Sequence, residues 1–483
     1  MIFEKSLALL TDLYQLTMCY GYFQSDRHNM QSVFHLFFRE NPFKGNYAVA
    51  CGLQYAINVM KRFYFTIDDI NYLRTLKGAD GKPLFADELF FDYLAQMRFE
   101  CDVDAVEEGR IVFPHTPLLR IKGPLIQCQL LESILLNVIN FQSLIATKAS
   151  RIRTAIGDDP LLEFGLRRAQ GIDGALTATR ASYIGGCDGT SNVLSGKLLG
   201  IPTRGTHAHS WVMSFDSELE SFETYAQAMP NNCIFLVDTY NTLEGVDNAI
   251  KTATKMRERG HDVLGIRLDS GDLLQLSRAA REKLDAAGFK QAKIVASNDL
   301  DEYRIRELKN AGAPIDVWGV GTRLVTGGEQ AALGGVYKLS GIRSNRKAPW
   351  NFKVKKSEDA IKVSNPGILQ TKRFYDLQGR PLCDALHNTQ DRHEGHTHKL
   401  ITYDGQNRFQ YPEKEVTCED LLVPIFKRGN LVYTTPTLAA SKEKLETDRE
   451  RFIDQLQLDS TEHRYPLCLE SKLFKLKQEL LGN

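Results

Sequence analysis

The fold of this chain is decided by residues 263–287, which read VLGIRLDSGDLLQLSRAAREKLDAA. A short apolar run at 263–268 ends in Asp269, and a helical pattern at 273–287 follows it. A short apolar strand that leads directly into a helix is typical of a parallel sheet with crossover helices. The stretch therefore predicts one strand–helix unit of an α/β fold.

The same pattern recurs on both sides of this stretch. Further apolar runs lie at 161–165, 201–206, 233–239, 293–296 and 317–320, and further helical patterns lie at 243–259 and 300–311. Six such units over roughly two hundred residues favour an irregular (β/α) barrel. A doubly wound open sheet is the alternative that the pattern leaves open.

The regions on either side of this strand–helix alternation have different sequence patterns. The N-terminal region mixes helical and strand patterns, with a helix that starts near Thr11 and a strand at 32–38. The C-terminal region loses the alternation and holds basic, strand-like pieces and a charged helix. We therefore expect an N-terminal mixed α/β domain at 1–130, a catalytic barrel at 131–340, and a C-terminal region at 341–483 that packs partly on the first domain.

Composition argues against several classes of protein. Lys+Arg and Asp+Glu number 60 each, so the formal net charge is +0, which argues against broad nucleic-acid binding and against an anionic membrane surface. No apolar run approaches the ~20 residues that span a bilayer, and the N-terminus lacks the features of a signal peptide. The nine Cys are dispersed without a CxxC pair. Dispersed thiols are typical of the reducing cytoplasm, where we expect this protein.

Polar residues gather where the predicted strands end. Ligands of a parallel barrel bind at the carboxyl ends of its strands. The segments at those ends are EFGLRR (163–168), GTHAHS (205–210), VDT (237–239), IRLDSGD (266–272), ASND (296–299) and GVGT (319–322). Arg binds phosphate oxygens bidentately, Gly-Thr turns bring backbone N–H groups to a phosphate, and carboxylates bind the waters of Mg²⁺. The mixture predicts a site for a phosphorylated substrate with a metal.

Some of these residues also have a purely structural explanation. Asp269, Asp272 and Asp299 each follow a predicted strand, and an Asp in that position is often a helix N-cap. The GVGT segment is by itself weak evidence for a phosphate-binding site. Its place late in the predicted barrel, where phosphate sites often form, gives it more weight.

Two pairs of basic residues, the adjacent arginines and the two histidines, also have structural explanations. Adjacent Arg167 and Arg168 would point to opposite sides of an extended chain, so we expect at most one to face the site. His207 and His209 would share one face of a strand, as a pair of metal ligands does. No Cys or carboxylate lies at a spacing that would complete such a site, so we expect no metal ligands here.

Taken together, these segments resemble the nicotinate phosphoribosyltransferase family. The resemblance begins at LTDLYQLTM (10–18), continues through 163–171, 205–214, 237–245, 267–273 and 319–322, and reaches GVYKL (335–339) and SNPG (364–367). It spans most of the chain. It implies a mixed α/β N-terminal domain, an irregular α/β barrel and a C-terminal extension. It also implies a homodimer with shared active sites, in which the N-terminal helix of one subunit closes the site of the other.

The resemblance also implies an activity in the salvage of nicotinate for NAD biosynthesis. The family joins nicotinate to phosphoribosyl pyrophosphate with Mg²⁺, forming nicotinate mononucleotide and pyrophosphate, and couples this to ATP hydrolysis through a phosphohistidine. Breaking the C1–O bond builds positive charge on the ribose and negative charge on the pyrophosphate. Catalysis of that step should rest on positioning and electrostatic stabilisation rather than on a protein nucleophile.

Matching motif to motif implies residues that bind the base and the diphosphate. Tyr14 is similar to the aromatic residue that stacks on the pyridine ring. Arg167 matches the arginine of a Gly-Leu-Arg motif near the base and the diphosphate. Thr206 is similar to a residue that contacts nicotinate.

The same matching implies the residues of the reaction centre. His209 matches the phosphorylated histidine. Asp238 and Arg267 line the site, with Arg267 a candidate partner for a carboxylate. Gly321 and Thr322 match the loop that binds the ribose 5-phosphate. The family pattern varies at position 207, and we assign no role there.

Other functions remain open from the sequence. The nearest alternative is a nicotinamide phosphoribosyltransferase, in which an amide would not need a cation beside the pyridine substituent. A quinolinate phosphoribosyltransferase would be shorter and would lack the histidine and ATP coupling. A barrel oxidoreductase would bind a nucleotide at the late glycine loop, and a binding module would hold phosphoribosyl pyrophosphate without turnover.

Overall fold

The chain forms a mixed α/β structure, as the sequence predicts at this level. The computed structural model describes residues 5–391, 396–458 and 465–482. These residues group into two compact units. The middle unit is Ile145–Ala331, and the terminal unit combines Met1–Leu144 with Ala332–Asn483.

The N-terminal part of the terminal unit alternates short helices and strands. Its helices are α1 (Leu13–Gln24), α2 (Leu53–Lys61), α3 (Ile67–Thr75), α4 (Glu88–Gln96), α5 (Leu125–Leu130) and α6 (Glu132–Ile156), of which α6 continues into the middle unit. Its strands are β1 (Gln31–Phe38), β2 (Ala48–Val49), β3 (Asp102–Val106), β4 (Ile111–Val112) and β5 (Leu119–Pro124). Local sequence fixes several helix starts, since Thr66 and Asp69 form a capping box at α3.

The middle unit alternates strands and helices along the chain. Its strands are β6 (Leu161–Glu163), β7 (Gly189–Thr190), β8 (Ile234–Leu236), β9 (Gly265–Leu268), β10 (Lys293–Ala296) and β11 (Val317–Val320). Its helices are α7 (Ile172–Ile184), α8 (Val193–Leu199), α9 (His209–Met213), α10 (Glu218–Ala228), α11 (Thr242–Glu258), α12 (Leu273–Ala286), α13 (Glu302–Asn310) and α14 (Thr322–Val325).

The six strands of the middle unit form one parallel sheet in the order β7-β6-β11-β10-β9-β8. The first strand along the chain, β6, thus pairs with the last, β11. The apolar run at 201–206, predicted as a strand, contributes only a parallel bridge between Thr203 and Thr190. Because all strands run in the same direction, their carboxyl ends lie at one edge of the sheet.

The C-terminal part of the terminal unit is rich in strands. They are β12 (Gly335–Arg343), β13 (Asn351–Phe352), β14 (Leu369–Asp376), β15 (Pro381–Asn388), β16 (Thr397–Thr402), β17 (Arg408–Pro412), β18 (Val416–Asp420), β19 (Leu422–Lys427), β20 (Asn430–Leu431) and β21 (Leu467–Glu470). Two helices, α15 (Leu438–Arg451) and α16 (Ser471–Leu481), complete the unit.

The two ends of the chain share one sheet of the terminal unit. Its order is β13-β12-β1-β5-β3-β19-β20, and β1 pairs antiparallel with both β5 and β12. A second sheet, β17-β16-β21-β15-β14-β18, is built entirely from C-terminal strands. Buried charged groups also join the two ends, since Arg110 pairs with Asp448 at 2.9 Å. Arg373, which pairs with Asp384 at 2.8 Å, donates a hydrogen bond to the Ile111 carbonyl at 2.8 Å.

One helical span is apolar enough to cross a membrane by length and composition. It covers Leu125–Ile156, and 67% of its most apolar window is buried inside the protein. The core helix of a globular protein has the same properties. The cysteines fit a core as well: eight of the nine are buried, all of them are free, and only Cys418 is exposed.

Candidate active site

Polar side chains meet at the carboxyl edge of the parallel sheet in the middle unit. Asp238 and Thr239 follow β8, Asp269 follows β9, and Ser297 follows β10. His209 is the first residue of α9 and lies among them. Parallel pairing of β8 with β9 and of β9 with β10 brings these residues together. The site is therefore a product of the strand order.

His209 lies between a hydroxyl and two carboxylates. Its Nδ1 atom is 3.1 Å from Thr239 Oγ1. Its Nε2 atom is 4.0 Å from Asp238 Oδ1 and 3.9 Å from Asp269 Oδ2. The side chain is 42% exposed. The imidazole is thus oriented by the protein and still accessible to a ligand.

Asp238 holds a buried carboxylate that is only partly satisfied. Its Oδ2 atom accepts hydrogen bonds from the backbone N–H of Asp269 at 3.0 Å and from Ser270 Oγ at 2.5 Å. Its Oδ1 atom accepts none from any residue that the structure describes, although the side chain is 0% exposed. A buried carboxylate oxygen without a partner is unfavourable unless a donor or cation approaches it. His209 and the space around it are where such a group would bind.

Arg267 is the best-fixed cation of the site. It lies on β9, donates from Nε to Ser297 Oγ at 2.7 Å, and donates from Nη2 to Asp269 Oδ1 at 2.8 Å. The ring of Phe164 lies 5.5 Å from its guanidinium carbon. Within the described part of the chain, Nη1 has no hydrogen-bond partner. A guanidinium held in this way presents a free edge that suits a carboxylate or a phosphate.

The N-cap explanation holds for one of the three aspartates considered from the sequence. Asp272 Oδ1 accepts hydrogen bonds from two backbone N–H groups in the first turn of α12. Asp269 instead binds Arg267 and Ser297. The cap of α13 is Asp301, two residues after Asp299. The site therefore retains Asp269.

The expectation for Arg167 and Arg168 was wrong in its geometry. Both residues lie in a 3-10 turn, Leu166–Arg168, rather than in an extended chain, and both are exposed. Gly165 at the start of this turn packs against Val325, where an added Cβ would collide with a methyl carbon. Neither arginine side chain makes a hydrogen bond or ion pair with another described residue.

His207 has a structural explanation. It is 7% exposed, and its Nε2 atom accepts a hydrogen bond from the backbone N–H of Leu236 at 3.2 Å. Nδ1 therefore carries the proton in the neutral ring. Burial lowers the pKa of His207 to about 4, and the positive charge of Arg267 acts in the same direction. No group of three metal-ligating side chains able to hold an ion occurs among the residues described.

The remaining candidates of the middle unit lie at neighbouring strand ends. The Thr206 hydroxyl donates to the His207 carbonyl at 3.1 Å. Gly321 follows β11, and Thr322 begins α14. A Cβ at Gly319 would lie 2.6 Å from the ring of Phe164, so this glycine allows the ends of β6 and β11 to approach closely.

Tyr14 belongs to the terminal unit. It lies in the first turn of α1 and is 49% exposed. Leu10 and Leu13 beside it are exposed to a similar degree, at 53% and 52%. The start of α1 thus presents an apolar surface that includes an aromatic ring.

Sequence reasoning missed the hydroxyl residues of the site. Thr239, Ser270 and Ser297 all stand at strand ends but received no role. Small hydroxyl residues are common in turns for local reasons, so their presence alone carries little signal. Only the side-chain pairing with His209, Asp238 and Arg267 distinguishes them.

Comparisons with known proteins agree along the whole chain. Residues 9–140 match the profile of the nicotinate phosphoribosyltransferase N-terminal domain. Residues 160–383 match that of the nicotinate phosphoribosyltransferase family, and residues 370–477 match that of its C-terminal domain.

Individual relatives cover almost the full length. The chain is 39% identical to nicotinate phosphoribosyltransferase of Bacillus subtilis over 99% of this chain and 95% of the relative. It is 33% identical to the enzyme of Homo sapiens over 98% of this chain and 96% of the relative. The crystal structure of human nicotinic acid phosphoribosyltransferase superimposes with a TM-score of 0.83 at 32% identity, covering 97% of this chain and 99% of that chain.

Proposed function

The chain belongs to the nicotinate phosphoribosyltransferase family, and we propose from this membership and from the geometry of Arg267 how it acts. It is an enzyme that transfers the phosphoribosyl group of phosphoribosyl pyrophosphate to nicotinate, forming nicotinate mononucleotide and pyrophosphate. The observation that carries the assignment of the base is the guanidinium of Arg267, fixed by Ser297 and Asp269 with an edge left for a ligand. That edge binds the carboxylate of nicotinate.

Nicotinate rather than nicotinamide is the base. A fixed guanidinium gains two charge-assisted hydrogen bonds from a carboxylate. A neutral amide would offer one weaker acceptor and leave the arginine desolvated. The names of the relatives do not favour the nicotinamide alternative either.

The carboxylates at the strand ends suit a transition state with a cationic sugar. When the C1–O bond breaks, the ribose ring gains positive charge and the leaving pyrophosphate gains negative charge. Asp238 and Asp269 provide fixed negative charge at the site, and the nicotinate nitrogen is the attacking atom. The protein then acts by positioning and electrostatics and supplies no nucleophile for this step.

His209 acts as the coupling residue for ATP. Its exposed imidazole is held by Thr239 on one nitrogen and faces two carboxylates with the other. An imidazole nitrogen without a proton attacks the γ-phosphorus of ATP, the bond to the ADP oxygen breaks, and phosphohistidine forms. Its later hydrolysis to phosphate would drive the condensation and release the products.

Mg²⁺ binds together with the phosphorylated substrates, on their phosphate groups. The described residues offer no cluster of three ligands for a resident ion. Mg²⁺ is commonly bound by one or two carboxylates together with substrate phosphates and water. The partly unsatisfied carboxylate of Asp238 fits that role.

The other matched residues complete the binding site in this proposal. Arg167, exposed and without a partner among the described residues, binds the diphosphate, and Thr206 contacts nicotinate. Gly321 and Thr322 bind the 5-phosphate. Tyr14 on the apolar start of α1 stacks on the pyridine ring of the partner subunit's site, which makes the enzyme a homodimer with shared sites, acting in the cytoplasm.

The parallel sheet of the middle unit belongs to an irregular barrel. Pairing of the first strand, β6, with the last, β11, supports this over a doubly wound sheet. The segment at 202–207 supports it too. It bonds to Thr190 of β7 through the Pro202 carbonyl and to Leu236 of β8 through His207, so it bridges the two edge strands.

A product assay tests the proposed function. Purified protein is supplied with phosphoribosyl pyrophosphate and Mg²⁺ and with nicotinate, nicotinamide or quinolinate, each with and without ATP. We expect the mononucleotide from nicotinate, in larger amount with ATP. Equal turnover of nicotinamide and nicotinate would refute the assignment of the base.

A further inference from the structure

Ser297 contacts Arg267 but has no role of its own in the proposed reaction. It follows β10 directly, and Ala296 before it pairs with Leu268 of β9. Its backbone N–H donates to the Leu268 carbonyl at 3.0 Å. The strand pairing therefore places the Ser297 side chain beside Arg267 and Asp269.

The hydroxyl of Ser297 closes a ring of three hydrogen bonds. It accepts from Arg267 Nε at 2.7 Å and lies 2.5 Å from Asp269 Oδ1. Arg267 Nη2 donates to the same carboxylate oxygen at 2.8 Å. A hydroxyl has one proton and a guanidinium accepts none, so the Ser297 proton must go to Asp269. Every donor and acceptor in the ring has a defined direction.

These three hydrogen bonds decide which edge of the Arg267 guanidinium a substrate can reach. Nε and one side of Nη2 are engaged by the protein, and Phe164 lies over the guanidinium at 5.5 Å. The free edge is the one that includes Nη1. Without Ser297, Nε would lose its partner, and the long side chain would regain rotamer freedom that substrate binding would then have to remove.

We propose that Ser297 is a positioning residue for the substrate carboxylate, acting through Arg267. This rests on the proposed function, in which Arg267 binds the carboxylate of nicotinate. Its contribution is to binding of the base, in the ground state and the transition state alike. Loss of its hydroxyl therefore raises the KM for nicotinate and leaves kcat nearly unchanged.

The backbone role of Ser297 is separable from its hydroxyl. The hydrogen bond from its N–H to Leu268 is independent of the side chain and persists in any variant. Ser297→Ala removes the hydroxyl. Ser297→Cys keeps a side chain of similar size but replaces a strong donor by a weak one. Ser277→Ala is the matched control, since Ser277 is buried on α12 and its hydroxyl donates only to the Leu274 carbonyl.

The experiment measures KM and kcat for nicotinate in these variants and in the double variant with Arg267→Ala. We expect both Ser297 variants to raise KM about 10-fold, as the loss of a charge-assisted hydrogen bond does, with kcat within about 3-fold. We expect no change in KM for Ser277→Ala. The double variant should be no slower than Arg267→Ala alone, because Ser297 acts only through that arginine.

Each outcome bears on the proposal in a defined way. An unchanged KM in either Ser297 variant overturns it, and so does a loss that adds in full to that of Arg267→Ala. The proposal is supported if KM is raised in both Ser297 variants while the thermal unfolding midpoint falls only in Ser297→Ala. If the unaltered protein does not use nicotinate, the proposed function fails instead.

Discussion

At the scale of single residues, the proposed choice of nicotinate as the substrate depends on Arg267. Replacing it with Ala should lower kcat/KM for nicotinate by about 10²-fold or more, because a charged hydrogen bond in a partly buried site contributes a few kcal/mol. Steady-state kinetics with nicotinate measure the effect. Arg281→Ala is the control, since Arg281 has a similar exposure of 19% but binds only Asp285 and backbone carbonyls. A comparable loss in that control would show that the effect is not specific to the site.

His209 is the residue that should decide the response to ATP. If His209 couples the reactions without touching C1, as proposed, His209→Ala should abolish ATP hydrolysis and ATP stimulation, while slow ATP-independent synthesis survives. Incubation with γ-labelled ATP should label the unaltered protein in an acid-labile, base-stable form. His261→Ala, in the same unit, should label normally. Undiminished labelling of the His209→Ala protein would show that another residue is phosphorylated.

At this scale the sequence predicted which charged residues meet but not how they are held. Asp238, Arg267 and Asp269 stand at the ends of neighbouring strands, and His209 at the start of α9 lies among them. The 3-10 turn at Arg167 was not predicted, and the residue that Gly165 before it packs against, Val325, is distant in sequence. The hydrogen-bond partners of Thr239 and Ser297 depend on neighbouring strands for the same reason.

At the scale of elements, the glycine in β11 controls how closely two strand ends approach. Gly319→Ala would place a Cβ 2.6 Å from the Phe164 ring and 3.3 Å from Ser297 Cβ. We expect a lower free energy of unfolding, by about 1–3 kcal/mol as in other overpacked sites, together with a raised KM for nicotinate. Urea unfolding and kinetics measure both.

Gly174→Ala is the matched control for this change. Apart from its chain neighbours and the backbone of its own helix, α7, no atom of the described residues lies within 4 Å of a Cβ added here. We expect that substitution to be neutral or to stabilise the protein by up to ~1 kcal/mol. Equal effects of the two substitutions would contradict the packing argument.

Strands followed by amphipathic helices were the elements that the sequence predicted best. The runs at 293–296 and 317–320 coincide with β10 and β11, and the pattern at 273–287 becomes α12 with Asp272 as its cap. The run at 201–206 gave a false strand: it makes only the bridge from Thr203 to Thr190 of β7, and Pro202 has no backbone N–H to donate to a ladder. The C-terminal sheet was missed as a whole, since its two local hairpins, β14–β15 and β16–β17, are joined only through β21, which comes much later in the sequence.

At the scale of the whole molecule, the proposed sharing of active sites between two subunits predicts complementation. Tyr14→Ala subunits and Arg267→Ala subunits should each be nearly inactive. Mixed after subunit exchange, they should regain part of the activity, because one site of the mixed dimer would carry neither change. Sedimentation should show twice the 54.6 kDa mass of the chain. If the mixtures stay inactive although subunit exchange is confirmed, the active sites are not shared between subunits.

Buried histidines should make the folded chain sensitive to acid. Burial lowers the pKa of His207 and of His115 to about 4 and that of His35 to about 3. These rings stay neutral in the folded state, whereas the unfolded chain takes up protons below its ordinary histidine pKa of about 6.5. Folding free energy is therefore lost as the pH falls from about 6.5 towards 4.

Urea unfolding at two pH values measures this loss. Each such histidine should cost about 2 kcal/mol at pH 5 relative to pH 7.5. His207→Gln should be destabilised at neutral pH, where it weakens the cap on Leu236, but should show a smaller decrease on acidification. An identical pH dependence in the variant would contradict this assignment.

The pairing of β1 with a strand from the far end of the chain has a consequence for synthesis on the ribosome. The strand that covers one edge of β1 is Gly335–Arg343, which emerges roughly 300 residues later, or about 15–60 s at ordinary elongation rates. Throughout that interval the nascent chain carries an open sheet edge that invites pairing with other chains. The strands of the middle unit all come from one continuous segment, so it can close first. We expect the newborn protein to depend on chaperones most in the interval before β12 appears.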